Sequence, residues 1–152
     1  MRRMTTLYII AAVAGGLLLL LFVFVAMQVE DWSRDLTTNY AATAADAKDQ
    51  RLRPIDSTLP PAELAERVQR AADSLKNWRL ASQEAAAEAV QLHFVRTTPV
   101  LRFQDDIRVH IKPRQAGSQL SAESRSRIGK GDLGQNPRNL RELLDAVRAA
   151  IE

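Results

Sequence analysis

The residues best suited to chemistry crowd into the C-terminal third of the chain. Asp105 and Asp106 open one alternating stretch, Ser124-Arg125-Ser126-Arg127 runs along the next, and Ile128-Gly129-Lys130-Gly131-Asp132-Leu133-Gly134 leads to Asn136. Three glycines within six residues make a permissive loop. Its backbone N–H groups, together with a helix N-terminus at Asn136, offer a place for an anion. Arg125, Arg127 and Lys130 would add positive charge there, so the candidate ligand set is Arg125, Arg127, Gly129, Lys130, Gly131, Gly134 and Asn136. A plain structural corner whose glycines take positive φ explains the same residues and carries more weight. The order Gly-Lys-Ser/Thr that marks a phosphate-binding P-loop is missing.

The two aspartates invite an acid/base or metal role. Adjacent strand residues point to opposite faces, however, so neighbouring carboxylates seldom converge on one point. Asp105 and Asp106 therefore read as structural groups: one caps the turn before its strand, and the other pairs with Arg125 or Arg127 on the next strand. His93 and His110 fall opposite the apolar positions of their strands. With no cysteine and only two histidines, no metal site is expected. No G-x-S-x-G elbow is present, so no catalytic residue and no cofactor is assigned.

The elements that must position these residues follow from hydrophobic periodicity. Leu64, Val68, Ala71, Ala72 and Leu75 predict a helix over 61–76, with prolines at 60 and 61 fixing its start. After Asn77 the period falls to two. Trp78 and Leu80 begin a short strand whose end is blurred by Glu84-Ala-Ala-Ala-Glu88. Val90, Leu92 and Phe94 mark a second strand, Ile107, Val109 and Ile111 a third, and Gly117-Ser118 a turn. A fourth strand places Leu120, Ala122, Ser124, Ser126 and Ile128 on one face. Asn136-Pro137 then reads as N-cap and first position of a helix with Leu140, Leu143, Leu144, Val147 and Ile151 on its stripe. The expected fold is an α+β two-layer domain, helix–four antiparallel strands–helix, over residues 61–152.

Ahead of it lies Leu7 to Met27, LYIIAAVAGGLLLLLFVFVAM, without a charge. Its 21 residues span about 31 Å as a helix, close to the thickness of a bilayer's hydrocarbon core. Arg2 and Arg3 precede it, Glu30 and Asp31 follow, and Tyr8 and Trp32 flank it. Basic residues stay in the cytoplasm, so residues 1–6 are expected inside, 7–27 in the inner membrane, and the domain periplasmic or otherwise extracytoplasmic. A cleaved signal would want a small residue where Phe24 stands. Residues 28–60 are polar and rich in Ala, Asp and Thr, and read as a tether.

Charge narrows the partners. Without Arg2 and Arg3 the chain carries 19 basic against 18 acidic groups, too even for a nucleic-acid binder. The bilayer is the expected partner, with a protein in the envelope as a second.

The runs Thr97-Thr98-Pro99, Arg102-Phe103-Gln104-Asp105-Asp106-Ile107 and Ser124 through Asn136 together resemble an uncharacterised bacterial and plastid family, domain of unknown function 1499. The resemblance covers roughly residues 76–150. It implies the fold and an exported, membrane-associated setting, and it supplies no activity. Glu123 and Asn139 stand where that family often has arginine. Three functions are therefore weighed: a non-enzymatic interaction module, a binder of an anionic ligand or lipid headgroup, and a hydrolase using Asp105 or Asp106. The first is favoured.

Overall fold

Apolar residues spaced by two and by 3.6 produce, in the computed structural model, a mixed α+β chain with an N-terminal apolar helix and an antiparallel sheet. Residues 2–29, 32–86 and 89–152 are described. The helices are α1 (Arg2–Gln28), α2 (Trp32–Thr37), α3 (Pro61–Asp73) and α4 (Gln135–Ile151). The strands are β1 (Tyr40–Ala42), β2 (Ile55–Ser57), β3 (Trp78–Ala86), β4 (Ala89–Thr97), β5 (Gln104–Arg114) and β6 (Gly117–Ser126).

Strands β3 to β6 form a meander in which every neighbour is antiparallel. The inward positions Leu92, Phe94, Ile107, Val109, Ile111 and Leu120 are fully buried, and α3 and α4 lie over them with Leu64, Val68, Leu140, Leu143, Leu144 and Val147. Each such side chain contributes about 1.5–3 kcal/mol when removed from water, so this single layer of contacts dominates the domain's stability. Pro61 sits at the first position of α3, where its missing N–H costs nothing.

Two features of the sheet differ from expectation. Parts of residues 32–60 join the sheet instead of running as a spacer. Among the described residues the sheet has six strands, because β1 pairs with Glu123–Arg125 and β2 with Ser118–Leu120, both along the outer edge of β6. A polar chain gains from that edge because its backbone saturates N–H and C=O groups that β6 would otherwise leave to water. Asp49, between the two strands, caps a short 3-10 turn and takes a hydrogen bond of 2.8 Å from Arg141 Nε on α4.

The corners shift as well. The β5–β6 turn falls at Gln115 and Ala116, and Gly117 opens β6 at φ 112°. A Cβ there would lie 2.1 Å from the Ser57 carbonyl oxygen, so glycine is needed for β2 to approach. Strand β6 stops at Ser126, which leaves Ile128 65% exposed instead of in the core. The N-cap of α4 is Gly134 at φ 76°, with Asn136 buried inside the first turn. Glu30 and Asp31, whose charges set the expected orientation, lie outside the described residues, as do Ala87 and Glu88 in the blurred end of β3.

Candidate functional site

The candidate residues divide between the two faces of the sheet. Adjacent positions on β5 send Asp106 to the outer face and Asp105 beneath α4, as the strand pleat requires.

On the outer face, Arg127 grips Asp106 with both prongs: Nε donates to Oδ2 at 2.8 Å and Nη2 to Oδ1 at 2.7 Å. Arg127 Nη1 also donates to Gln104 Oε1, and His93 Nε2 from β4 lies 2.8 Å from Asp106 Oδ1. The Arg127 hydrogen bonds, aided by His93 and opposed by partial burial, hold the Asp106 carboxyl at about 2, below its ordinary 3.8. The same bond pushes the Arg127 guanidinium upward. Further along this face the Arg125 guanidinium lies 5.0 Å from the centre of the Tyr40 ring, within cation–π range. Tyr40 Oη donates to Glu123 at 2.9 Å, and burial, then Glu123, raise its pKa. Arg108 approaches Glu123 at 3.6 Å. Four strands, β1, β4, β5 and β6, thus contribute to this lattice of paired polar and charged groups.

The inner face holds a buried polar network. Asp105 is 2% exposed and accepts from Asn139 Nδ2 at 2.9 Å. Asn139 Nδ2 also reaches Ser124 Oγ at 3.2 Å, and that hydroxyl donates to Asn136 Oδ1 at 2.6 Å. Asn136 Nδ2 in turn donates to Ser126 Oγ at 3.0 Å and to the Asp132 carboxylate. Asp105 therefore caps no turn. It is a strand residue tied to the first turns of α4. Beside it on β4, Arg96 places Nε 3.4 Å from Glu142 Oε2, an ion-pair distance without hydrogen-bond alignment. Trp78 Nε1 donates to the same oxygen at 3.2 Å.

The glycine-rich loop is occupied from within. Asp132 turns its carboxylate onto the start of α4 and accepts N–H bonds of 2.8 Å from Gly134 and from Asn136. The N–H groups of Asp132 and Leu133 go to the Asp35 carbonyl of α2 at 3.0 Å each, and Asn39 Nδ2 donates to the Gly129 carbonyl at 2.8 Å. Gly131 packs so closely on α2 that a Cβ would lie 2.3 Å from the Leu36 carbonyl oxygen. Gly129 takes φ 94°. Of the seven candidates, Arg127, Arg125 and Asn136 have protein partners, the three glycines shape the corner, and Lys130 is exposed. They do not converge on one point.

Several residues of the site escape a reading by motif. Asp132 lies two residues before the N-cap glycine, and Asn39 and Asp35 act from a segment without periodicity. Asn136 and Asn139 had a signal: both fall on the apolar stripe that continues as Leu140, Leu143 and Leu144, where a polar side chain must find a buried partner.

The Asp106–Arg127 pair gives a pH signature. A carboxyl held at about 2 against 3.8 stabilises the fold above the higher value, and that contribution is lost as pH falls through the lower one. Arg127 is 41% exposed on its side chain, so the pair is worth about 1 kcal/mol after screening. Wild type is expected to exceed Asp106→Asn in stability near neutral pH, with the gap closing between about pH 4 and 2. A double-mutant cycle of Arg127→Ala and Asp106→Ala should show non-additivity of similar size. Additive losses in denaturant melts would show that the bidentate geometry contributes nothing to folding.

Comparison with known proteins gives a family and little else. The model of the family described as protein of unknown function (DUF1499) matches residues 31–147. No curated protein matches. A crystal structure of a protein from Chromobacterium violaceum is similar at 15% identity, with 75% of this chain and 97% of that one covered and a TM-score of 0.35. The family match spans most of the chain, including α2, β1 and β2 ahead of the segment that carried the motifs, and the chain belongs to the DUF1499 family of proteins of unknown function.

Proposed function

We propose that the protein is a single-pass, membrane-anchored domain that acts as a non-enzymatic interaction module on the extracytoplasmic side of the inner membrane. The observation that carries this reading is α1. Its Met4–Phe24 stretch is long and apolar enough to cross a membrane, and none of it is buried against the rest of the chain. Leaving that many large apolar side chains in water would cost on the order of tens of kcal/mol, more than a domain's net stability. A bilayer removes the penalty, and a helix satisfies its own backbone there. Arg2 and Arg3 before the span favour an N-terminus in the cytoplasm.

The non-enzymatic half of the proposal draws on the aspartates. A general acid or base works best with a pKa near the operating pH and access to substrate. Asp106 is kept at about 2 by Arg127, and Asp105 is sealed under α4. Both serve the fold where they stand.

The test is topological. An alkaline-phosphatase fusion after Glu152 is expected to be active, a fluorescent-protein fusion at the same place dark, and the chain should stay with membranes through carbonate extraction. A bright cytoplasmic fluorescent fusion would reverse the orientation, and release by carbonate would remove the anchor.

A further inference from the structure

One end of the domain is apolar where a soluble protein would be polar. Val100 and Leu101, on the connection from β4 to β5, are 84% and 66% exposed, and Phe103 is 44% exposed beside them. The loop is held in shape: Thr98 N donates to the Phe103 carbonyl at 2.8 Å, and Phe103 N to Thr98 Oγ1 at 2.9 Å. Arg102 takes φ 58°, so Val100 and Leu101 are presented at the tip of a closed turn. Arg127 N donates to the Gln104 carbonyl, which brings the exposed Ile128 alongside. Exposed cations of this end include Arg102 in the loop and Lys130 beyond Ile128.

This is also the end from which α1 departs. Helix α2 is fixed to the glycine-rich loop through the Asp35 carbonyl and the close contact at Gly131. Only four residue steps separate Gln28, the last of α1, from Trp32, the first of α2. They reach at most about 14 Å. From Phe24 to Gln28 the helix rises about 6 Å beyond the apolar span, which is about the depth of one headgroup layer. The apolar end is therefore confined close to the bilayer, while the turn at Gln115 and Ala116 lies at the other end of the sheet.

We propose that the β4–β5 loop, with Ile128 beside it, docks into the headgroup region of the membrane that holds α1, with anionic headgroups taken by Arg102 and Lys130. This rests on the anchoring proposed above. It makes the domain lie against the membrane by a defined face, and it leaves the lattice face and the far end for partners.

The chain has no cysteine, so single probes can be placed cleanly in the full-length protein. An environment-sensitive fluorophore would be attached at Leu101→Cys or Ile128→Cys, at Leu18→Cys within α1, and at Gln115→Cys on the far turn. Each variant is reconstituted into phosphatidylcholine–phosphatidylglycerol vesicles containing lipid with a nitroxide near the headgroup end of its acyl chain. Loss of fluorescence at 101, 128 and 18, with 115 unchanged, is the expected result. Quenching at 18 but not at 101 or 128 would overturn the docking and leave the anchor intact. An unquenched probe at 18 would overturn both. A blue shift at 101 without quenching would put protein, a second copy included, over the loop and reject the lipid contact. Equal quenching at 115 would reject a defined orientation.

Discussion

Asn139→Ala is expected to destabilise the domain by about 2–4 kcal/mol, seen as a lower midpoint in denaturant unfolding with an unchanged slope. Asn139 is fully buried and its amide nitrogen serves both Asp105 and Ser124, while its oxygen accepts from Gln135 Nε2 at 2.7 Å. Truncation leaves the Asp105 carboxylate at 2% exposure without that donor, and no water can reach it cheaply. The cost of the stranded group, more than the lost bond itself, sets the magnitude. Removing both partners should hurt less than the two single losses suggest, because Asp105→Ala/Asn139→Ala leaves no buried charge behind. Strict additivity of the two substitutions would mean that Asp105 is satisfied by other groups and that α4 is not fastened to β5 through this pair.

That network also shows where sequence reading stops. Strands β4 and β5 were legible because every second residue is large and apolar, and α3 and α4 because their stripes keep the helical period. Positive φ, read from the crowding of the loop's glycines, holds at 129 and 134 but not at 131, where close packing on α2 is what requires glycine. The sequence pairs one of the two aspartates with Arg125 or Arg127 without saying which, and the pair made is Asp106 with Arg127 on the diagonal. The place of Asp105 is not legible, since it depends on which way α4 crosses the sheet, and no local pattern encodes a crossing. Alternation in the sequence runs on to Ile128, whereas the chain leaves the strand after Ser126 for Gly129 at φ 94°. Strands β1 and β2 are three residues each. Such segments carry too little alternation to be seen, and what recruits them is the open edge of β6.

The segment from residue 32 to residue 54, which carries α2 and β1, gives the largest expected effect. A chain beginning at residue 32 should unfold cooperatively without α1, whereas one beginning at residue 55 should not. The shorter chain keeps β2 through β6, α3 and α4, and so holds nearly all of the apolar core. It loses the pairing of Tyr40–Ala42 with β6, the Ser126 N–H bond to the Asn39 carbonyl, and the paired bonds between Thr43 and Ala122. Packing of Ala41 and Leu52 on the core goes too, as do the Asp49–Arg141 bridge and the two bonds from Arg148 Nη2 to the carbonyls of Arg51 and Arg53. At about 1 kcal/mol per net hydrogen bond, plus the apolar contacts, the loss is about 5–10 kcal/mol. Small domains hold about 5–15 kcal/mol in all, so the deletion removes most or all of the margin. Loss of α2 would also free the glycine-rich loop, which then has no Asp35 carbonyl to bind and no wall at Gly131. Circular dichroism through a urea titration separates the outcomes: a single sharp transition for residues 55–152 at the midpoint of residues 32–152 would make β1 and α2 passengers on a fold complete without them. A shallow, non-cooperative loss of signal in the shorter chain alone would make the segment ahead of residue 55 part of the domain, as its pairing with β6 requires.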